Sequence, residues 1–102
     1  MVALICREWG LPESLSLEEP SAIQPAAGEV LIHAYAAALN FADTLVIAGK
    51  YQVKPPRPFS PGFEAAGIVQ AVGEGVSAFR PGERVMAALQ YGGLSSVVCA
   101  PE

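Results

Sequence analysis

The chain has 102 residues, 52% of them apolar and 16% charged, a balance that excludes a disordered tail and allows one compact domain. Six basic against ten acidic residues leave a net charge of −4, which argues against a nucleic-acid binder, because that class needs a basic face to replace counterions. Ten glycines and nine prolines make the chain turn-dense and favour β structure over a helical bundle.

In chain order, Met1–Arg7 reads as a strand, broken by Gly10-Leu11-Pro12. Leu15 and Leu17, two apart among polar residues, predict a second, half-buried strand. Pro25–Glu29 is a turn. Val30–Leu39, rich in Val, Leu, Ile and Ala, reads as a strand buried on both sides. Asn40 then offers a helix N-cap, its amide oxygen free to accept from the first-turn N–H groups. Asp43 lies in that first turn, where an anion is favoured. Gly49 ends the segment, which gives one helix of about two turns.

Lys54–Pro61 holds four prolines and reads as a loop unable to join a sheet. Ala65–Val72 is a strand, followed by turns at Gly73–Gly75 and Phe79–Glu83. Arg84–Leu89 and Leu94–Ala100 are predicted to pair as a hairpin across Gln90–Gly93. Six or seven short strands and one short helix predict a mainly β, partly open barrel.

The longest uncharged runs, Val30–Ala42 and Val85–Pro101, fall short of the roughly 20 apolar residues of a membrane span. No basic-then-apolar leader opens the chain, so a cytoplasmic location is expected. Cys6 and Cys99 form no metal-binding spacing. Reduced thiols are the expectation, with a Cys6–Cys99 bridge the alternative. Gly73-Glu74-Gly75-Val76-Ser77-Ala78 matches the dinucleotide fingerprint G-x-G-x-x-A. That fingerprint needs a helix directly behind it, and Pro81-Gly82 leaves no room for one, so a plain turn is expected. The single histidine, His33, lies in an apolar strand and reads as a core or barrel-wall residue.

Four stretches together carry a family resemblance: Asn40-Phe41-Ala42-Asp43; Gly49-Lys50-Tyr51; Pro58–Val69, reading PFSPGFEAAGIV; and Val72–Val76 leading into Phe79–Val85. Their order and spacing resemble the N-terminal half of the medium-chain dehydrogenase/reductases, and among them the zinc-lacking quinone oxidoreductases. The resemblance implies that residues 1–102 form a GroES-like β-barrel, the catalytic domain of such an enzyme. In that family the barrel packs on a nucleotide-binding Rossmann domain, absent from this chain, and NADPH delivers hydride to a quinone or enone in the cleft between them. The isolated chain is then expected to be inactive. The face that would meet the Rossmann domain is expected to be apolar and to drive self-association. The alternative is a stand-alone, non-enzymatic GroES-like binding or assembly module.

The zinc-dependent relatives place a cysteine where Asn40 stands and a histidine where Phe63 stands. An amide and a phenyl ring cannot replace them, so no metal is expected. A hydroxyl residue and a histidine serve proton relay in zinc alcohol dehydrogenases, and Ala42 and Leu45 stand in their places. The resemblance puts Asn40 and Tyr51 in the cleft as catalytic candidates, an amide N–H donor and a phenol that can supply a proton. Asn40 and Asp43 are the candidates facing the cofactor, although Asp43 reads equally as a helix-start acid. Phe41, Phe63 and Glu64 are the substrate-side candidates. The two rings also fit core packing, and Glu64 reads as a structural acid needing a partner such as an arginine. Lys50, Lys54 and Arg57 read as a solvated loop, with a cofactor phosphate as the alternative.

Overall fold

The computed structural model describes residues 1–102. It contains six strands and one α-helix: β1 (Ala3–Ile5), β2 (Ser16–Glu18), β3 (Glu29–Ala38), α1 (Phe41–Ile47), β4 (Glu64–Val72), β5 (Arg84–Ala88) and β6 (Val97–Pro101). A 3-10 turn at Pro12–Ser14 joins β1 to β2. All pairings are antiparallel, in a two-stranded sheet β1-β2 and a four-stranded sheet ordered β5-β4-β3-β6. The sheets do not close on themselves, as the partly open barrel required.

The first strand is shorter than Met1–Arg7 suggested, but it meets the predicted second strand in register, Ala3 opposite Glu18 and Ile5 opposite Ser16. Across the open end of this pair, the Arg7 guanidinium donates to Glu18 from Nε at 2.7 Å, and the Ser16 hydroxyl donates to the same carboxylate. These two partners hold the Glu18 carboxyl down to about 2 from its ordinary 4.5. A depressed folded-state value means that the bridge supports the fold above pH 4.5 and loses its effect as pH falls from 4.5 towards 2. Arg7→Ala is expected to raise the Glu18 midpoint from about 2 towards 4.5, stopping short of it because the Ser16 hydroxyl still donates, read by carboxyl-carbon NMR titration.

The predicted hairpin between residues 84–89 and 94–100 does not form. β5 pairs with β4 and β6 pairs with β3, on opposite edges of the sheet. The segment between them is held elsewhere: Gly92 N–H donates to Ser60, Leu94 N–H to Pro61, Leu4 N–H to Leu94 and Ser96 N–H to Val2. A tight turn is therefore replaced by a crossing strap. The proline-rich loop is also less isolated than its composition implied. Phe59 forms a bridge with Cys6 through bonds of 2.8 and 3.2 Å, because the prolines flank that residue without removing its N–H.

Two cores result. Val30, Ile32, Ala65, Val98 and Ala100 fill the interior of the large sheet. Cys6, Val46, Ile47 and Phe59 pack α1 against β1 and the proline loop, with Trp9, Tyr51 and Phe63 around them. Each fully buried Ile, Val or Phe contributes about 1.5–3 kcal/mol. Only the first half of β3 belongs to a core: Val30, Leu31 and Ile32 are buried, while Ala36, Ala37 and Ala38 are exposed. The expectation of burial on both sides fails there because alanine suits an open face as well as a closed one. His33 is likewise exposed, on the outer wall of β3, edge-on to Tyr35 at 5.1 Å. Cys6 and Cys99 are free thiols, and burial pushes both upward in pKa.

Candidate functional site

The site candidates meet where β3 runs into α1 and β4 begins. Asn40 holds the extended N-cap position, φ −122° and ψ 154°, as its sequence context predicted. Asn40 and Asp43 form a capping box in which each side chain faces the other's backbone N–H, so the cap expected of Asn40 is present with a reciprocal arm from Asp43. The Asp43 carboxylate accepts from the Asn40 backbone N–H at 2.8 Å, and the Asp43 N–H donates to the Asn40 backbone carbonyl at 3.0 Å. The nitrogen of the Asn40 side-chain amide reaches β4, donating from Nδ2 to Glu64 Oε2 at 3.4 Å. At its other end α1 closes as a Schellman motif: Gly49 N–H to Val46 and Lys50 N–H to Leu45, with Gly49 at φ +71°. Trp9 packs so closely on Gly49 that a Cβ there would lie 2.8 Å from its ring.

Asp43 is 8% exposed, so its position is that of a buried structural acid; one oxygen serves the cap and Oδ1 has no protein partner. Glu64 corrects the sequence reading. It is exposed at the first position of β4, where the alternation of the strand turns it to solvent, and its partner is the Asn40 amide rather than an arginine. Tyr51 and Phe63 are half-buried and stack edge-to-face at 5.8 Å, so the phenol is carried on a ring wall. Phe41 does not join them in a core; it is 80% exposed. The structure thus links Asn40 to Asp43 and Glu64, and Tyr51 to Phe63.

A groove of about 550 Å³ starts at Glu64 and runs along Ala36–Ala38 and Ala66 to Met86 and Ala88. Tyr35, Leu39, Phe41 and Met86 also stand exposed. Met86, 88% exposed, was not singled out from sequence. The usable signal was the strand alternation of residues 84–88, which turns 84, 86 and 88 to one face. The G-x-G-x-x-A stretch is a turn with no helix behind it, as expected. Nowhere do three His, Cys, Asp or Glu side chains gather as a metal would require.

Residues 26–102 match the family model described as the alcohol dehydrogenase GroES-like domain. The chain belongs to that family. The quinone oxidoreductase of Lama guanicoe is 43% identical over 86 residues, which span 83% of this chain and 26% of that protein. The crystal structure of the human synaptic vesicle membrane protein VAT-1 homolog-like protein superposes with a TM-score of 0.93 at 38% identity, over 99% of this chain and 33% of that one. The Escherichia coli quinone oxidoreductase, crystallised in complex with NADPH, gives 0.91 at 36% identity, over 98% and 31%. The chain therefore spans about a quarter of the length of the curated relatives it matches. No helix is long and apolar enough to cross a membrane.

Proposed function

We propose that this chain is the catalytic-domain portion of a zinc-independent reductase that passes hydride from NADPH to a quinone or enone. The observation that carries the proposal is the Asn40–Glu64 contact. Asn40 places an exposed amide donor beside Glu64, which lines one end of the apolar groove, on a backbone fixed by Asp43. Hydride transfer to a carbonyl leaves negative charge on oxygen, and a fixed donor stabilises that charge without reorganising. Tyr51 is the proton source for the reduced oxygen, and Phe63 holds its ring. Phe41 and Phe63 offer flat apolar surface for the acceptor ring.

The donor set argues against zinc at this place. Asn40 supplies a weak amide oxygen, Phe63 supplies nothing, and Glu64 alone leaves the metal two ligands short of a catalytic site. The lone histidine is on β3, facing Tyr35. The bound nucleotide would supply the hydride. This chain lacks a phosphate-binding loop that opens a helix, so the nucleotide's main contacts belong to a Rossmann domain outside these residues. Named relatives that are quinone oxidoreductases, one of them crystallised with NADPH, support the same reading.

The test is NADPH oxidation with a quinone acceptor, comparing the 102-residue chain with the full translation product of its gene. The reading expects turnover only from a product that adds a nucleotide-binding domain. Turnover by the 102 residues alone would overturn the assignment of parts. A full product of 102 residues without activity would favour a binding or assembly module.

A further inference from the structure

The six residues after β4, Gly73–Ala78, resemble a phosphate-binding fingerprint yet open no helix. Their backbone is tightly placed. A Cβ on Gly73 would fall 1.9 Å from the Ala26 carbonyl oxygen, and the Gly73 N–H donates to Glu29 at 2.7 Å. Val76 N–H turns back to Gly73 at 3.3 Å. The next two amides, Ser77 and Ala78, converge on a single atom. Both donate to Oε2 of Glu102, at 2.9 and 2.7 Å. Glu102 is held at a second point, its own N–H donating to Gly28 at 2.9 Å, while Gly28 N–H donates to Glu74 at 2.8 Å.

Consecutive N–H groups aimed at one point form an anion-binding concavity, and bonds to an ionised acceptor are the stronger kind. No lysine or arginine pairs with Glu102; the one ion pair of the molecule is Arg7–Glu18. The acids in the same backbone network, Glu29 and Glu74, carry the same sign, and the Glu29 carboxylate is engaged by Ala26 N–H. The two amides therefore supply the attraction alone, and they hold the Glu102 carboxyl below its usual range.

We propose that the Ser77–Ala78 amide pair is a carboxylate-binding site with Glu102 as its tethered ligand, a clasp that fastens the end of β6 to the loop after β4. The loop thus binds an anion, as its sequence hints, but the anion is internal. Without the Glu102 side chain, the same pair is free to take a carboxylate from solution.

The test is backbone amide exchange by NMR on the 102-residue chain, with acetate as the free carboxylate. Glu102→Ala is expected to speed exchange at Ser77 and Ala78 by about tenfold or more, the scale of a lost charged hydrogen bond. Val69, whose N–H bonds to Glu83 at 2.8 Å away from the clasp, is expected to hold its rate. Glu102→Gln keeps an acceptor oxygen and loses the charge, so it falls between. Acetate is expected to slow exchange at the two amides in Glu102→Ala and to leave the unsubstituted chain unchanged. The proposal fails if Glu102→Ala leaves Ser77 and Ala78 at their original rates. It fails equally if Val69 accelerates alongside them, or if acetate affects both proteins alike.

Discussion

Gly67→Ala lowers stability by about 3 kcal/mol, the upper range for overpacking a closed structure, and drops the melting temperature by about 15 °C. Gly67 sits in β4 opposite Ala34, between two irregularities of the β3–β4 register, with β5 on its other side. A Cβ there would stand 1.9 Å from the His33 carbonyl oxygen and 2.8 Å from its carbon. Both are backbone atoms of a paired strand, so no rotamer change relieves them. Gly75→Ala is the control. Gly75 has φ +84° and nothing within 4 Å of the added carbon, so only left-handed strain of about 1 kcal/mol remains. Thermal unfolding by circular dichroism measures both. Equal losses at the two positions would show that the close strand approach does not make glycine necessary in β4.

The second large effect falls on chemistry. On the proposed function, Asn40→Ala in the full translation product is expected to lower kcat for quinone reduction about a hundredfold, the scale of one lost donor to a developing oxyanion. The fold should survive, because the Asp43 carboxylate bonds the backbone N–H of residue 40, which alanine keeps. On the same proposal the nucleotide's KM should change little, since its main contacts are assigned to a Rossmann domain outside these residues. Tyr51→Phe keeps the packing on Phe63 and removes the proton donor. Its loss should therefore grow as solvent protons become scarce at high pH. Steady-state kinetics with circular dichroism on each variant separate these outcomes from unfolding. A variant Asn40→Ala with unaltered kcat would leave the amide a cap residue only.

What the sequence made readable was mostly local. The helix limits were legible because Asn40, Asp43 and Gly49 each act within a turn of their own position. The turns at Gly73–Gly75 and Pro81–Gly82 were legible for the same reason. Pairing between distant segments was not. Nothing local in residues 84–100 reports that β5 belongs beside β4 and β6 beside β3, because the deciding bonds come from residues 2, 4 and 60–62. Exposure of the second half of β3 was hidden by alanine, whose small side chain marks neither face.

The site candidates came from the family resemblance and from residue type: Asn40 and Tyr51 as positions matched to the cleft, Phe41, Phe63 and Glu64 by their chemistry in or beside the matched motifs. The contact between Asn40 and Glu64, 24 residues apart, needed the fold. So did the exposure of Glu64, because its apolar neighbours Phe63 and Ala65 suggested burial, whereas the pleat of β4 turns it outward. Asp43 combined two readings, a helix-start acid in sequence and, in the structure, the group that fixes the Asn40 backbone.

The proposed function has an amide and a phenol, and no metal, acting on the acceptor. The direct measurement is quinone-dependent NADPH oxidation by the full translation product, before and after exhaustive dialysis against a zinc chelator. The account predicts the same rate in both samples and no gain when zinc is added back. Activity that disappears on chelation and returns with zinc, while Asn40→Ala changes nothing, would contradict it.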